Sequence, residues 1–161
     1  MELSLKRWIL FPIAGYIALL LVIQLIAMPL TLESMPENCP SDSLNCAHSS
    51  QSQSFRTELV PLSFNASIES VMQGVEEWED NLWFSQIVSS NESAINLIHR
   101  TPLMQFPDDV FISLECNEGM VEVSFHSQSR LGKSDLGKNI DRFSQFHEEM
   151  SAKEYSGSCT Q

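Results

Sequence analysis

The pattern of apolar and polar positions divides the chain at about residue 32. Positions 8–32 carry no charge, and 8–28 is a run of 21 mostly apolar residues. As a helix this run spans about 32 Å at ~1.5 Å per residue, enough for a ~30 Å hydrocarbon core. Pro12 falls in its first turns, where a missing N–H is tolerated. Residues 33–54 have no periodicity. Pro36, Pro40 and the Ser/Gln/Asn-rich stretch 49–54 predict an extended lead-in. Residues 55–62, with Thr57, Leu59 and Val60, predict a first strand. Over 65–80, Ile68, Val71, Met72, Val75 and Trp78 recur at helical spacing and continue to Leu82, with Asn65 or Ser67 available as cap. Glu69, Glu76, Glu77 and Glu79 occupy the opposite side of that helix.

Ile87-Val88 predicts a short strand, and 93–101 a longer one with Ile95, Leu97 and His99 on one face. Residues 104–109 predict a turn and 110–116 a strand. Asn117-Glu118-Gly119 predicts a tight hairpin with Gly119 in the left-handed position. Residues 120–129 pair back, alternating Val121, Val123 and Phe125 against Glu122, Ser124 and His126. A polar junction follows, and then a helix over 139–152 with Ile140, Phe143, Phe146 and Met150 along one side. The tail, 153–161, needs Cys159 to hold it down. The order predicts an α+β domain over 55–152: an antiparallel sheet of four to five strands with two helices on one face, behind one N-terminal transmembrane helix.

Charge orients the apolar run. Lys6 and Arg7 precede it, while Glu33, Glu37 and Asp42 follow it. This predicts a short cytoplasmic tail (1–7), a transmembrane signal anchor (8–32) and everything beyond it on the far side of the inner (plasma) membrane, in the periplasm or its extracytoplasmic equivalent. The run exceeds the ~7–15 apolar residues of a cleaved signal peptide, and Ala27-Met28-Pro29 is a poor cleavage site. Trp8 and Tyr16 are candidates for interfacial depth. Beyond residue 32, seven Lys and Arg face twenty Asp and Glu. So acidic a domain disfavours nucleic acid as a partner, and repels anionic headgroups as a whole.

Four cysteines, Cys39, Cys46, Cys116 and Cys159, all fall on the side where disulfides persist. Three pairings are open. The favoured one closes a short loop from Cys39 to Cys46 and joins Cys116 to Cys159. A metal set of Cys39, Cys46 and His48 matches no common zinc spacing, and His48, His99, His126 and His147 are scattered. His99 reads as a partly exposed strand residue and His147 as the edge of the core. No metal or cofactor is called for.

The polar junction Ser129-Arg130-Leu131-Gly132-Lys133-Ser134-Asp135-Leu136-Gly137-Lys138-Asn139 lies between the clearest strand and the last helix. Its Gly132-to-Lys138 stretch fits G-x-x-x-x-G-K, but position 139 is Asn where a phosphate loop needs Ser or Thr for magnesium. A lesser version, a small anion on the helix start with Lys138, stays open beside a purely structural turn capped by Asp135 or Ser134. Arg130 is expected to pair with Asp108, Asp109 or Asp135. The candidate contact set is Arg130, Lys133, Ser134, Asp135, Lys138, Asn139, Asp108 and Asp109.

Three segments together resemble the bacterial and plastid family catalogued as domain of unknown function 1499. Cys39-Pro40-Ser41-Asp42-Ser43-Leu44-Asn45-Cys46 is similar to its C-P-x-x-P-N-C segment, without the proline before Asn45. Phe106-Pro107-Asp108-Asp109-Val110 is similar to F-x-D-D-V/I, and the junction is similar to S-R-x-G-x-S-D-L-G-x-N-R. Lys133 stands in place of an aromatic there, and Ile140 in place of the final basic residue. The resemblance covers about residues 39–150. It implies an extracytoplasmic or membrane-associated domain and brings no activity with it. The reading is an envelope binding module that meets the lipid bilayer through its helix, and a protein or small ligand through the junction. The alternative is an envelope hydrolase that uses the same carboxylates with Ser134.

Overall fold

The computed structural model describes residues 2–49 and 61–160, with side chains from residue 8 onward. Helix α1 (Glu2–Ala27) ends in a single 3-10 turn, Met28–Leu30. Strands β1 (Cys46–His48) and β2 (Leu62–Phe64) follow, then α2 (Ile68–Asp80), β3 (Ser85–Asn91), β4 (Ala94–Arg100), β5 (Pro107–Asn117), β6 (Met120–Ser129) and α3 (Lys138–Ser151). Among the described residues the strands make one antiparallel sheet in the order β1-β6-β5-β4-β3, with β2 pairing β6 beside β1. The α+β expectation holds. The lead-in contributes a strand that its sequence did not announce, because three residues are too few to show alternation. Most of the expected strand at 55–62 lies outside the described residues.

Helices α2 and α3 cover one face. Trp78 packs edge-on against Phe146, and Phe125 lies between Phe143 and Phe146. Val71 and Val75 from α2 and Val110, Ile112, Val121 and Val123 from the sheet complete this core. The hydroxyl of Ser67 accepts from the Ser70 N–H and caps α2, so the helix starts at Ile68 and not at Asn65. Glu79 departs from the exposed face given to its neighbours: it is buried and accepts from Ser85 Oγ at 2.6 Å. Glu118 and Gly119, both at positive φ, make the two-residue hairpin turn between β5 and β6. The described part of the tail, 153–160, is held down. Cys159 is bonded to Cys116, and Tyr155 packs on Phe64.

The second face is covered in part. Leu32 N–H donates to Asp109 at 3.2 Å and Met35 lies against Ser113, so the lead-in climbs that face from the end of α1. His126, expected among outward polar residues, is fully buried, beside Phe111 and under Cys46 and His48 of β1.

Candidate functional site

The turn expected at 104–109 is shorter. Pro107 opens β5 opposite Arg100, so Asp108 and Asp109 are strand residues, and both are about 1 % exposed. Consecutive strand residues face opposite ways, and the two carboxylates do so. Asp108 accepts from Arg142 Nη2 of α3 at 2.7 Å. Asp109 takes both Arg130 Nε, at 2.9 Å, and Arg130 Nη2, at 2.6 Å, together with the Leu32 N–H. The pairing expected for Arg130 is present, with Asp109 as partner.

Asn139 is the centre of the buried polar cluster. Its Nδ2 donates to Asn45 O, Ser129 Oγ and Asp135 Oδ2. Its Oδ1 accepts from Ser127 Oγ and Arg142 Nη1. Asp135 also accepts from the N–H groups of Gly137 (2.9 Å) and Asn139 (2.6 Å), so the start of α3 already holds a carboxylate in the place an external anion would take. Gly132 and Gly137 have φ near +85°, as the structural turn requires. The junction is stitched to the lead-in: Leu44 N–H donates to Lys133 O, and Asn45 Nδ2 to Gly132 O.

Arg142, Asn45, Ser127 and His99 belong to this cluster, and none was singled out from sequence for it. Arg142 lies two positions beyond the place where the resemblance expects a basic residue, and that was its one signal. His99 Nδ1 accepts from Arg142 Nη2 at 2.6 Å. Burial, and then the Arg142 charge, push the His99 imidazole down to about 4, against a weaker pull from its hydrogen bond to the Trp83 backbone. Burial, and then His48, likewise lower His126 to about 4.

Lys133, Ser134 and Lys138 are exposed, as is Leu136. Ser134 Oγ accepts from the Leu136 N–H and, among the described residues, has no base hydrogen-bonded to it. Both expected disulfides are present, Cys39–Cys46 and Cys116–Cys159. Among the described residues, the grouping of potential metal ligands is Cys39, Cys46 and His126 rather than His48, and its two sulfurs are spent on each other.

The junction also forms one wall of an apolar cleft of about 500 Å³. The other wall is the loop 101–106, and Leu103, Met104, Phe106, Leu131 and Leu136 dominate the lining. This end of the sheet is tied to α1: Tyr16 OH donates to Leu103 O, and Gln24 Nε2 donates to Gln105 O at 2.7 Å. Helix α1 and its 3-10 turn include a 23-residue stretch, Trp8–Leu30, long and apolar enough to cross a membrane. Trp83 and Phe84 are exposed at the same end, next to Arg100.

No curated protein matches the chain. One family profile does, described as a protein of unknown function and matched over residues 37–150, from the disulfide loop through the whole sheet to the end of α3. That span holds every element of the buried cluster, and the chain belongs to the DUF1499 family.

Proposed function

We propose that this protein is a single-pass protein of the inner (plasma) membrane, cytoplasmic at its N-terminus, whose extracytoplasmic domain is a binding module working at the bilayer surface. One observation carries the reading: the apolar, exposed helix α1 is hydrogen-bonded to the end of the domain that carries exposed apolar side chains of its own. Trp8, Phe11, Leu21, Leu25 and Ile26 are exposed along the helix, and Leu103, Phe106 and Leu136 on the domain beside it. An apolar surface this extensive needs a non-aqueous cover. Lys6 and Arg7 ahead of the span, and two disulfides behind it, support the orientation. The hydrolase reading draws no support from the geometry, because Asp108 and Asp109 are each committed to a buried arginine and, among the described residues, no base is hydrogen-bonded to Ser134.

Fusing the C-terminus to a reporter that works only in the cytoplasm tests the topology. The expected result is a silent reporter in a membrane fraction. Strong signal overturns the orientation, and recovery of the whole chain from the soluble fraction overturns the anchor.

A further inference from the structure

We infer that the cleft between loop 101–106 and the junction 131–138 takes an acyl chain of a bilayer phospholipid, an assignment that rests on α1 spanning the membrane. Depth is the first argument. Tyr16 lies eleven residues before Ala27, about 16 Å down the helix axis at ~1.5 Å per residue. Its hydroxyl holds the Leu103 carbonyl, and Gln24, two turns higher, holds Gln105 and the Arg100 side chain. Loop 101–106 therefore projects along α1, and hydrocarbon that covers this stretch of the helix reaches the loop, which is one wall of the cleft.

The loop is partly prepared for such surroundings, with most of its backbone polar groups paired within the protein. Thr101-Pro102-Leu103-Met104-Gln105-Phe106 has no charge. In hydrocarbon an irregular backbone persists only where its polar groups are satisfied by protein. Here Thr101 N–H donates to Phe106 O, Gln105 N–H to Thr101 O and Phe106 N–H to Thr101 Oγ1. The side chain of Gln105 returns to the Thr101 and Pro102 carbonyls, while α1 supplies the donors for Leu103 and Gln105.

The opposite wall carries an independent sign. Leu136 has φ +58° and is 88 % exposed. A left-handed position in a turn suits Asn or Gly, and a branched apolar residue held there in water gains nothing from packing. Against an acyl chain, the exposure becomes contact. The cleft lies within the ~300–1,000 Å³ typical of ligand pockets. Lys138 is in its lining with Asp135, whose carboxylate is taken up by the start of α3, and exposed Lys133 stands on the same loop. These two cations, uncommitted among the described residues, suit the phosphate of a phospholipid headgroup.

The test uses the full chain reconstituted in a bilayer containing a phospholipid with a photoreactive diazirine partway along one acyl chain. Mapping of the adducts is expected to find them on α1 and also on Met104 or Leu131, which are half-buried within the cleft. In Leu136→Asn, which removes apolar wall but suits the backbone, the cleft adducts fall severalfold with no loss of melting temperature. Adducts on α1, Leu103 and Leu136 that spare Met104 and Leu131 mean that lipid passes the loop without entering, and overturn the assignment while leaving the anchor intact. An unchanged cleft yield in Leu136→Asn overturns it too. Absence of adducts from α1 itself overturns the membrane-spanning reading.

Discussion

Asp108 and Asp109 are adjacent in sequence and serve opposite faces of the sheet. Asp108 fixes α3 through Arg142, and Asp109 fixes the junction and the lead-in through Arg130 and the Leu32 N–H. Both pairs are nearly excluded from water, with side-chain exposures of 7 % or less. Removing one member of such a pair leaves a charge that neither water nor a partner compensates. Arg130→Ala is therefore expected to lower unfolding free energy by about 3–5 kcal/mol. Lys133→Ala, at an exposed position of the same loop, is expected to change it by no more than about 0.5 kcal/mol. Denaturant titration of both variants checks this, and near-equal effects would remove the structural role given to Arg130. The pairing of Arg130 with one of three aspartates was legible in the sequence because both turns carry acidic residues, one arginine lies between strand and helix, and the family resemblance holds all of them in its segments. The burial of both aspartates was not, because Pro107 reads as a turn signal and here takes the first position of a strand, where its missing N–H breaks no ladder.

At the scale of elements, each disulfide adds a covalent closure to a segment that hydrogen bonds and packing also hold. Cys39–Cys46 holds the lead-in where β1 joins β6, with Cys46 Sγ 3.8 Å from His126 Nε2. Cys116–Cys159 ties the tail to the end of β5, across 43 positions. A cross-link stabilises mainly by restricting the unfolded chain, and does so more for the longer loop. Replacing Cys39 and Cys46 by serine is expected to cost about 2–3 kcal/mol, and replacing Cys116 and Cys159 about 4 kcal/mol, on the loop-entropy argument. Urea midpoints of the two double variants check the ranking. The reverse order would mean that the lead-in, and not the tail, is the harder element to hold. The hairpin, α2 and α3 were readable because their periodicities are local. Strand β3, seven residues long with six of them exposed, was foreseen only around Ile87-Val88, since an edge strand with little burial shows little alternation.

Over the whole molecule, the fold sorts charge that the composition only totals. Glu92, Glu118 and Glu122 lie at or next to the hairpins, while Arg100, Arg130, Lys133 and Lys138 lie at the other end, where the carboxylates of Asp108, Asp109 and Asp135 are taken up by hydrogen bonds within the fold. The overall acidity therefore does not describe the end that faces the proposed bilayer. Two histidines on opposite faces of the sheet link global stability to pH. His99 and His126 titrate at about 4 in the fold, below the ~6.5 of an unperturbed imidazole. Between those values the unfolded chain binds more protons, so this part of the stability is complete above ~6.5 and is lost as pH falls towards 4. Denaturation midpoints are expected to drop from pH 7 to pH 5, with both rings neutral throughout by nitrogen-15 NMR. A ring titrating near 6.5 in the folded protein would contradict its burial.

The sequence by itself determined what depends on neighbours along the chain. The uncharged run long enough for a bilayer, the two amphipathic helices, the β5–β6 hairpin and the α+β order each follow from spacing within some twenty residues. Tertiary structure alone decided which Asp meets which Arg, that Asn139 joins the lead-in, the sheet and α3 at one point, and that His126 is covered. Those contacts bring together residues up to 94 positions apart, so no local periodicity encodes them. The cleft beside α1 is of the same kind. Its two walls were foreseen as separate turns, and only the closure of the sheet, with Arg100 opposite Pro107 and Asp108 opposite Ser129, places them face to face.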